Sequence, residues 1–237
     1  MAAASGQIWR IVENQEQAAT RNITRSADAQ SRLEELLDGN KPAYLPDTEQ
    51  LHWLLKTPFR YPPLRHGSRF GSATEPGILY GSCERDTAMV ESAVYLWLFR
   101  AGPEELGPLQ QIRDARTALH FPVSHPRGCD LTRTQLTPYK QRISCPESYE
   151  FSQLLGSALR AADAGMIWFH SARAVAGTNC AVLDPCAVAG ADMPVQEHWQ
   201  IQLDTHSCWW GRPGHTAFEV SLRDVTDASG IIPHPAL

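Results

Sequence analysis

The 237-residue sequence has no Cys-x-x-Cys pair and no closely spaced group of cysteine and histidine, which removes the common zinc-binding layouts. It has no long hydrophobic run. The longest uncharged apolar stretch covers residues 93–99, far short of the roughly 20 residues that a membrane-spanning helix needs. An excess of positive charge is also missing: 21 Lys and Arg stand against 26 Asp and Glu, a net charge of −5. The field that attracts a phosphate backbone is therefore absent, and neither nucleic acid nor a membrane surface is expected as a direct partner. The phosphate-loop, dinucleotide-fingerprint, zincin and Gly-x-Ser-x-Gly patterns do not occur, nor do the enzyme classes they mark. No fixed-period repeat or low-complexity tract is visible.

What remains is the composition of a folded, water-soluble chain, 43% hydrophobic and 20% charged, long enough to bury a proper core. Six cysteines, Cys83, Cys129, Cys145, Cys180, Cys186 and Cys208, are scattered along it, and the first ten residues show no basic segment leading into an apolar run. Reduced thiols and a cytoplasmic location are expected.

Residues 13–30 are polar and read as a frayed helix or a loop. A helix is predicted over residues 29–37, with Leu33, Leu36 and Leu37 on one side and Asp38-Gly39 as its stop. A second is predicted from Asp47, with Gln50 at the capping-box position and Leu51, Trp53, Leu54 and Leu55 as its apolar face before Pro58. Residues 61–81 are dense in proline and glycine and, with Arg60 just before them, carry Arg65, His66 and Arg69. Such a segment suits an anion cradle, and equally a surface loop with solvated arginines. A helix over residues 82–100 surrounds Glu91 with Thr87, Ala88, Val94, Tyr95 and Leu98. Its carboxylate is thereby aimed at the interior or a cleft, where it needs a partner, such as an upstream arginine, or a function.

The second half reads as an extended stretch at 120–123, then a helix over 150–164 with Phe151, Leu154, Leu155, Ala158 and Leu159 inward. Strands follow at 166–169, 179–183, 199–203 and 217–220. This is the pattern of an α+β domain with a twisted, mostly antiparallel sheet. None of the nine histidines pairs with another one helical turn away, so no metal site is expected.

Several segments, in order, resemble the RES-domain toxins of bacterial toxin–antitoxin pairs. They are Ile8-Trp9-Arg10-Ile11, Gly67-Ser68-Arg69-Phe70, Ile78-Leu79-Tyr80, Thr87-Ala88-Met89-Val90-Glu91 and Cys129-Asp130-Leu131-Thr132. The likeness continues through Ser152-Gln153-Leu154-Leu155-Gly156, Gly165-Met166-Ile167-Trp168, Ser171-Ala172-Arg173, Gly177-Thr178-Asn179 and Leu183-Asp184-Pro185. The resemblance implies an ADP-ribosyltransferase-like core, a compact pair of small sheets with flanking helices around an NAD cleft. It implies residues 1–57 as a helical extension packed on that core and 58–237 as the RES domain, one globular unit overall. It implies breakage of the nicotinamide–ribose bond of NAD, by hydrolysis or phosphorolysis, or transfer of ADP-ribose to a protein. Arg69, Tyr80, Glu91 and Ser171 fall on the catalytic positions, and Arg69, Phe70, Tyr80, Ser171, Arg173 and Asn179 on the substrate-binding ones. NAD is then a substrate, no metal is required, and the partner is an antitoxin with a helix-turn-helix domain that occupies the cleft. Protein transferases often carry a second glutamate two residues before the catalytic one; position 89 is Met, which favours hydrolysis or phosphorolysis. A catalytically silent binding module, with Glu91 and Arg69 as a structural pair, is the reading from another class.

Overall fold

In the computed structural model the described residues are 1–14, 24–61, 63–102, 107–188 and 193–235. In chain order they form β1 (Ala2–Glu13), α1 (Ala27–Gly39), α2 (Trp53–Arg60), β2 (Leu79–Ser82), α3 (Arg85–Ala101), β3 (Ile112–Asp130), α4 (Lys140–Ile143), α5 (Glu150–Ala161), β4 (Met166–His170), β5 (Thr178–Val182), β6 (Val195–Leu203), β7 (Ser207–Gly211) and β8 (Phe218–Ser221). This is the α+β class expected.

β3 ties the sheet together. It pairs antiparallel with β6 over Ile112 to His120, antiparallel with β1 over Arg116 to Gly128, and parallel with β4 over its last three residues. β1 also meets β2, at Trp9 and Ser82, and β2, β5 and β4 follow as antiparallel neighbours. The pairings β1–β2–β5–β4–β3–β1 thus return to their start and close a ring, from which β6, β7 and β8 extend. Closure satisfies strand edges that would otherwise stand open. The two small sheets expected share β3 and are one continuous network.

The N-terminal region departs from the expectation. α1 and α2 are helical, but residues 2–13 are a strand of the ring, with Ile8 fully buried and Trp9 stacked 4.3 Å from its register partner His120. The division expected at residue 57 therefore cuts through the ring. The small and polar residues of Ala2–Gln7 hide the two-residue period, and long-range pairing with β3 supplies what local propensity does not. α2 starts later than predicted: His52 caps it through Nδ1, and Asp47 lies in a short 3-10 turn. The reading of residues 13–30 falls largely on 15–23, outside the described residues.

The core has three parts. The ring interior, with Ile8, Leu79, Leu119, Phe121, Met166 and Val182, is capped by Leu54, Leu55 and Phe59 of α2. α3 lays Met89, Ala93, Val94 and Trp97 against Trp199, Ile201, Leu203, Trp210 and Val220 of β6–β8. The third part packs Phe70 and Ile78 with Ile167, Phe169 and Ala181. No disulfide joins the six cysteines.

α5 packs Phe151, Leu155 and Leu159 against the core as predicted, whereas Leu154 and Ala158, also expected inward, are exposed. Leu154 is 69% exposed, while Ser152 and Gly156 are buried. Gly156 is buried because the backbone of Phe70 lies directly against it: a Cβ built there collides with the Phe70 carbonyl. Gly156→Ala should accordingly destabilise the fold by about 1–2 kcal/mol, because overpacking outweighs the gain of about 1 kcal/mol in helix propensity. Denaturant titration checks this, and a stabilised variant would show that the contact relaxes freely.

Candidate active site

Arg69 sits in the proline- and glycine-rich segment between α2 and β2, which is shaped rather than loose. Gly67 takes φ +72°, a conformation that suits glycine, and Ser68 and Gly71 pair across a tight turn. Gln153 of α5 donates Nε2 to the carbonyls of His66 (2.8 Å) and Ser68 (3.1 Å). Tyr80 Oη donates to Ser68 Oγ at 3.0 Å and accepts the backbone N–H of Phe70 at 3.0 Å. Burial pushes the Tyr80 phenol up to about 12. Its hydroxyl therefore serves the loop, and what it offers the cleft is its ring.

Held in this way, Arg69 is 9% exposed, with Nη1 donating to the carbonyls of Cys145 (2.8 Å) and Ile143 (3.3 Å) and the guanidinium 4.9 Å above the Tyr149 ring. Arg60 and Arg65 do not join it: Arg60 stacks on Tyr44 and Arg65 is exposed. Phe70, expected at the substrate, is fully buried instead, edge-on to Phe169 at 4.8 Å. Adjacent residues of the turn face opposite ways, so with Arg69 toward the cleft Phe70 enters the core.

Glu91 lies on α3, half-buried. Its expected pairing with an upstream arginine is not seen; instead Oε1 accepts from Ser171 Oγ and from Asn179 Nδ2, both at 2.7 Å. Each donor is itself fixed. Asn179 Oδ1 accepts from Ser82 Oγ at 2.7 Å, and Ser171 Oγ accepts the N–H groups of Arg173 (3.0 Å) and Ala174 (2.9 Å). The single proton of the Ser171 hydroxyl is given to Glu91, so Ser171 acts through that carboxylate and not as a donor to a substrate. Oε2 has no partner among the described residues.

Arg69, Tyr80, Glu91, Arg173 and Asn179 line one cleft of roughly 580 Å³, whose aromatic walls include Tyr95, Tyr149 and Phe169. The structure adds residues that sequence reasoning missed. Arg10 of β1 lines the cleft, donates Nη1 to the Tyr80 carbonyl at 2.8 Å and leaves its Nε buried with no partner among the described residues. Its only sequence signal was the Ile-Trp-Arg-Ile segment, with nothing to say where it pointed. Burial lowers the Arg10 pKa to about 10, and burial also holds that of Arg173 below the ordinary arginine value. None of Arg10, Arg69 and Arg173 is within ion-pair distance of a carboxylate among the described residues. Three cations beside a single carboxylate form a site that gains from an anionic ligand.

His66 and His234 complete the wall. Burial, then the nearby Arg173, His66 and Arg69, lower the His234 pKa from 6.5 to about 4. The unfolded chain takes up that proton near pH 6.5 and the folded chain resists it, so folding stability falls as pH drops from 6.5 to 4. With allowance for the partly solvated site, the loss is about 2 kcal/mol. Comparing thermal midpoints of wild type and His234→Gln across that window isolates this share, and parallel curves would mean that His234 titrates normally. Among the described residues no group of three or more His, Cys, Asp or Glu is placed to hold a metal, and no helix is long and apolar enough to cross a membrane.

No curated protein matches this sequence. Among solved structures, a chain from the M. tuberculosis MbcT–MbcA toxin–antitoxin complex is similar at 12% identity and a TM-score of 0.47, with 86% of each chain covered. A family model described as the RES domain matches residues 44–204, more than half of the sequence and the part that carries Arg69, Tyr80, Glu91, Ser171, Arg173 and Asn179. The chain belongs to the RES domain family.

Proposed function

We propose that this protein is the toxin of a toxin–antitoxin pair and that it cleaves the nicotinamide–ribose bond of NAD, by hydrolysis or phosphorolysis, so depleting the cell of NAD. The observation that carries the reading is the carboxylate of Glu91. One oxygen is pinned by two fixed donors and the other has no partner among the described residues, in an aromatic-walled cleft where Arg10, Arg69 and Arg173 have no anionic partner among those residues. NAD matches each part: a pyrophosphate for the arginines, planar rings for Tyr80 and its aromatic neighbours, and a ribose that becomes cationic for Glu91.

In the reaction the bond from ribose C1′ to the pyridinium nitrogen breaks, and its electron pair neutralises the nicotinamide ring. C1′ acquires oxocarbenium character. Glu91 Oε2 accepts a ribose hydroxyl and faces the growing positive charge, which it stabilises more strongly than the ground state. Water or phosphate then adds its oxygen to C1′, and water on doing so releases one proton to the solvent. Ser171 and Asn179 orient the carboxylate, and Arg69 and Arg10 hold the pyrophosphate.

Transfer to a protein acceptor is the second reading. Met89 favours the first, since that position is fully buried in the core and offers no carboxylate to an acceptor. The cytoplasm is the proposed compartment, and an antitoxin with a helix-turn-helix domain the proposed partner, covering the cleft. Nicotinamide release from NAD by the purified protein, with and without inorganic phosphate, tests the activity. Release is the expected result, and dependence on phosphate would identify phosphorolysis. No release in either buffer would overturn the proposal and favour a protein acceptor or a silent binding module.

A further inference from the structure

His234 lies beyond residue 204, where the family match ends, yet it forms part of the cleft wall. The segment that delivers it is built to hold its course. Asp227 Oδ1 accepts from the N–H groups of Ser229 (2.8 Å) and Ile231 (3.0 Å) and from Ser229 Oγ (2.6 Å), with Gly230 at φ +80° in the turn. Ile232 is then buried against α3 and β6–β8. His234, 7% exposed, stands edge-on to three rings, with centroids 5.6 Å from His66, 5.6 Å from Tyr95 and 5.9 Å from Tyr149. Its Nε2 is 3.2 Å from Tyr149 Oη.

Tyr149 is the ring beneath the Arg69 guanidinium, and the carbonyls that take Arg69 Nη1 belong to Ile143 and Cys145, in the same α4–α5 region of the chain. We propose that His234 is a positioning residue for Arg69: by holding the Tyr149 hydroxyl it keeps that ring in place under the guanidinium, which is thereby aimed at the pyrophosphate of the substrate. This rests on the NAD reading above. The cation–π attraction depends on the cation staying over the ring face, and a tyrosine released at its hydroxyl end is free to tilt. A neutral imidazole suits the task. A neutral ring with its proton on Nδ1 leaves Nε2 to accept the Tyr149 hydroxyl, 3.2 Å away. The charged groups facing His234 are Arg69 and Arg173, with His66 beside them, and all three favour the neutral ring.

The test compares wild type, His234→Phe, His234→Gln, Tyr149→Phe and the double variant His234→Phe/Tyr149→Phe. Three quantities are measured: KM and kcat for nicotinamide release from NAD, and the Kd of inorganic pyrophosphate by calorimetry. Each phenylalanine variant should raise KM and Kd about tenfold, the size of one lost hydrogen bond with a stranded buried partner, and leave kcat within about twofold. His234→Gln, which retains a group for the Tyr149 hydroxyl, should lie within about twofold of wild type, and the double variant should be no worse than either single one. Wild-type KM and Kd in a folded phenylalanine variant, or an additive loss of about a hundredfold in the double, would overturn the proposal. If His234→Phe fails to fold, Tyr149→Phe removes the same hydrogen bond with the segment intact, and the same criteria apply. A wild type that binds pyrophosphate but releases no nicotinamide would overturn the NAD reading, and the Kd series alone would then decide the role of His234.

Discussion

Glu91→Gln is expected to lower nicotinamide release by about 10²- to 10³-fold, the usual cost of removing one group aimed at transition-state charge. The fold should survive the change. Gln can present its carbonyl oxygen to Ser171 and Asn179, so the two 2.7 Å hydrogen bonds to Oε1 are retained. What is lost is the negative charge, and the bare Oε2 becomes an amide N–H₂ that repels a cationic C1′ instead of attracting it. The loss should appear in kcat, with KM changed much less, because the carboxylate meets its largest demand only in the transition state. Turnover assays beside thermal unfolding make the comparison, and full activity in a folded variant would remove Glu91 from the chemistry.

The second large effect is expected at Arg69, and in the other kinetic constant. Arg69→Lys should raise KM for NAD by about a hundredfold, in keeping with the 2–3 kcal/mol that a buried charge-assisted contact supplies. A guanidinium gives Nη1 to two carbonyls, lies over the Tyr149 ring and still has other N–H groups for the cleft. An ammonium group has neither the planarity nor the reach to do all three. Arg65→Lys is the control. Arg65 belongs to the same cationic segment but is exposed, so its KM should match wild type. Equal effects at the two positions would mean that general positive charge, and not the geometry at Arg69, attracts the substrate.

The contrast between these arginines marks what the sequence could disclose. Helical periodicity was enough to aim Glu91 at a cleft, since α3 is long and its apolar positions leave one orientation open. The composition of residues 61–81 announced a shaped loop, but composition cannot tell which cation faces inward; hydrogen bonds from Tyr80 and Gln153 make that choice. Phe70 was misplaced because a tight turn alternates its side chains in a way that neither helical nor strand periodicity describes. Ser171 was recognised as a polar group at the site, and its commitment to Glu91 shows only when α3 and the end of β4 meet. Arg10 and His234 gave little local signal. Arg10 reaches the cleft because β1 pairs with a strand about a hundred residues away. His234 arrives on a segment without regular structure, placed by one turn and one buried isoleucine.

Ring closure also sets an order of events in time. β1 is made before β3, its main partner, so during synthesis it waits as an open edge until that strand follows it out. The cleft waits longer still, since its lining runs from Arg10 to His234. A nascent chain that has not yet reached residue 234 carries Glu91 and Arg69 without the wall that supports them. If the assembled cleft consumes NAD, the cell that makes the protein is spared until residue 234 has been made and has folded into the wall.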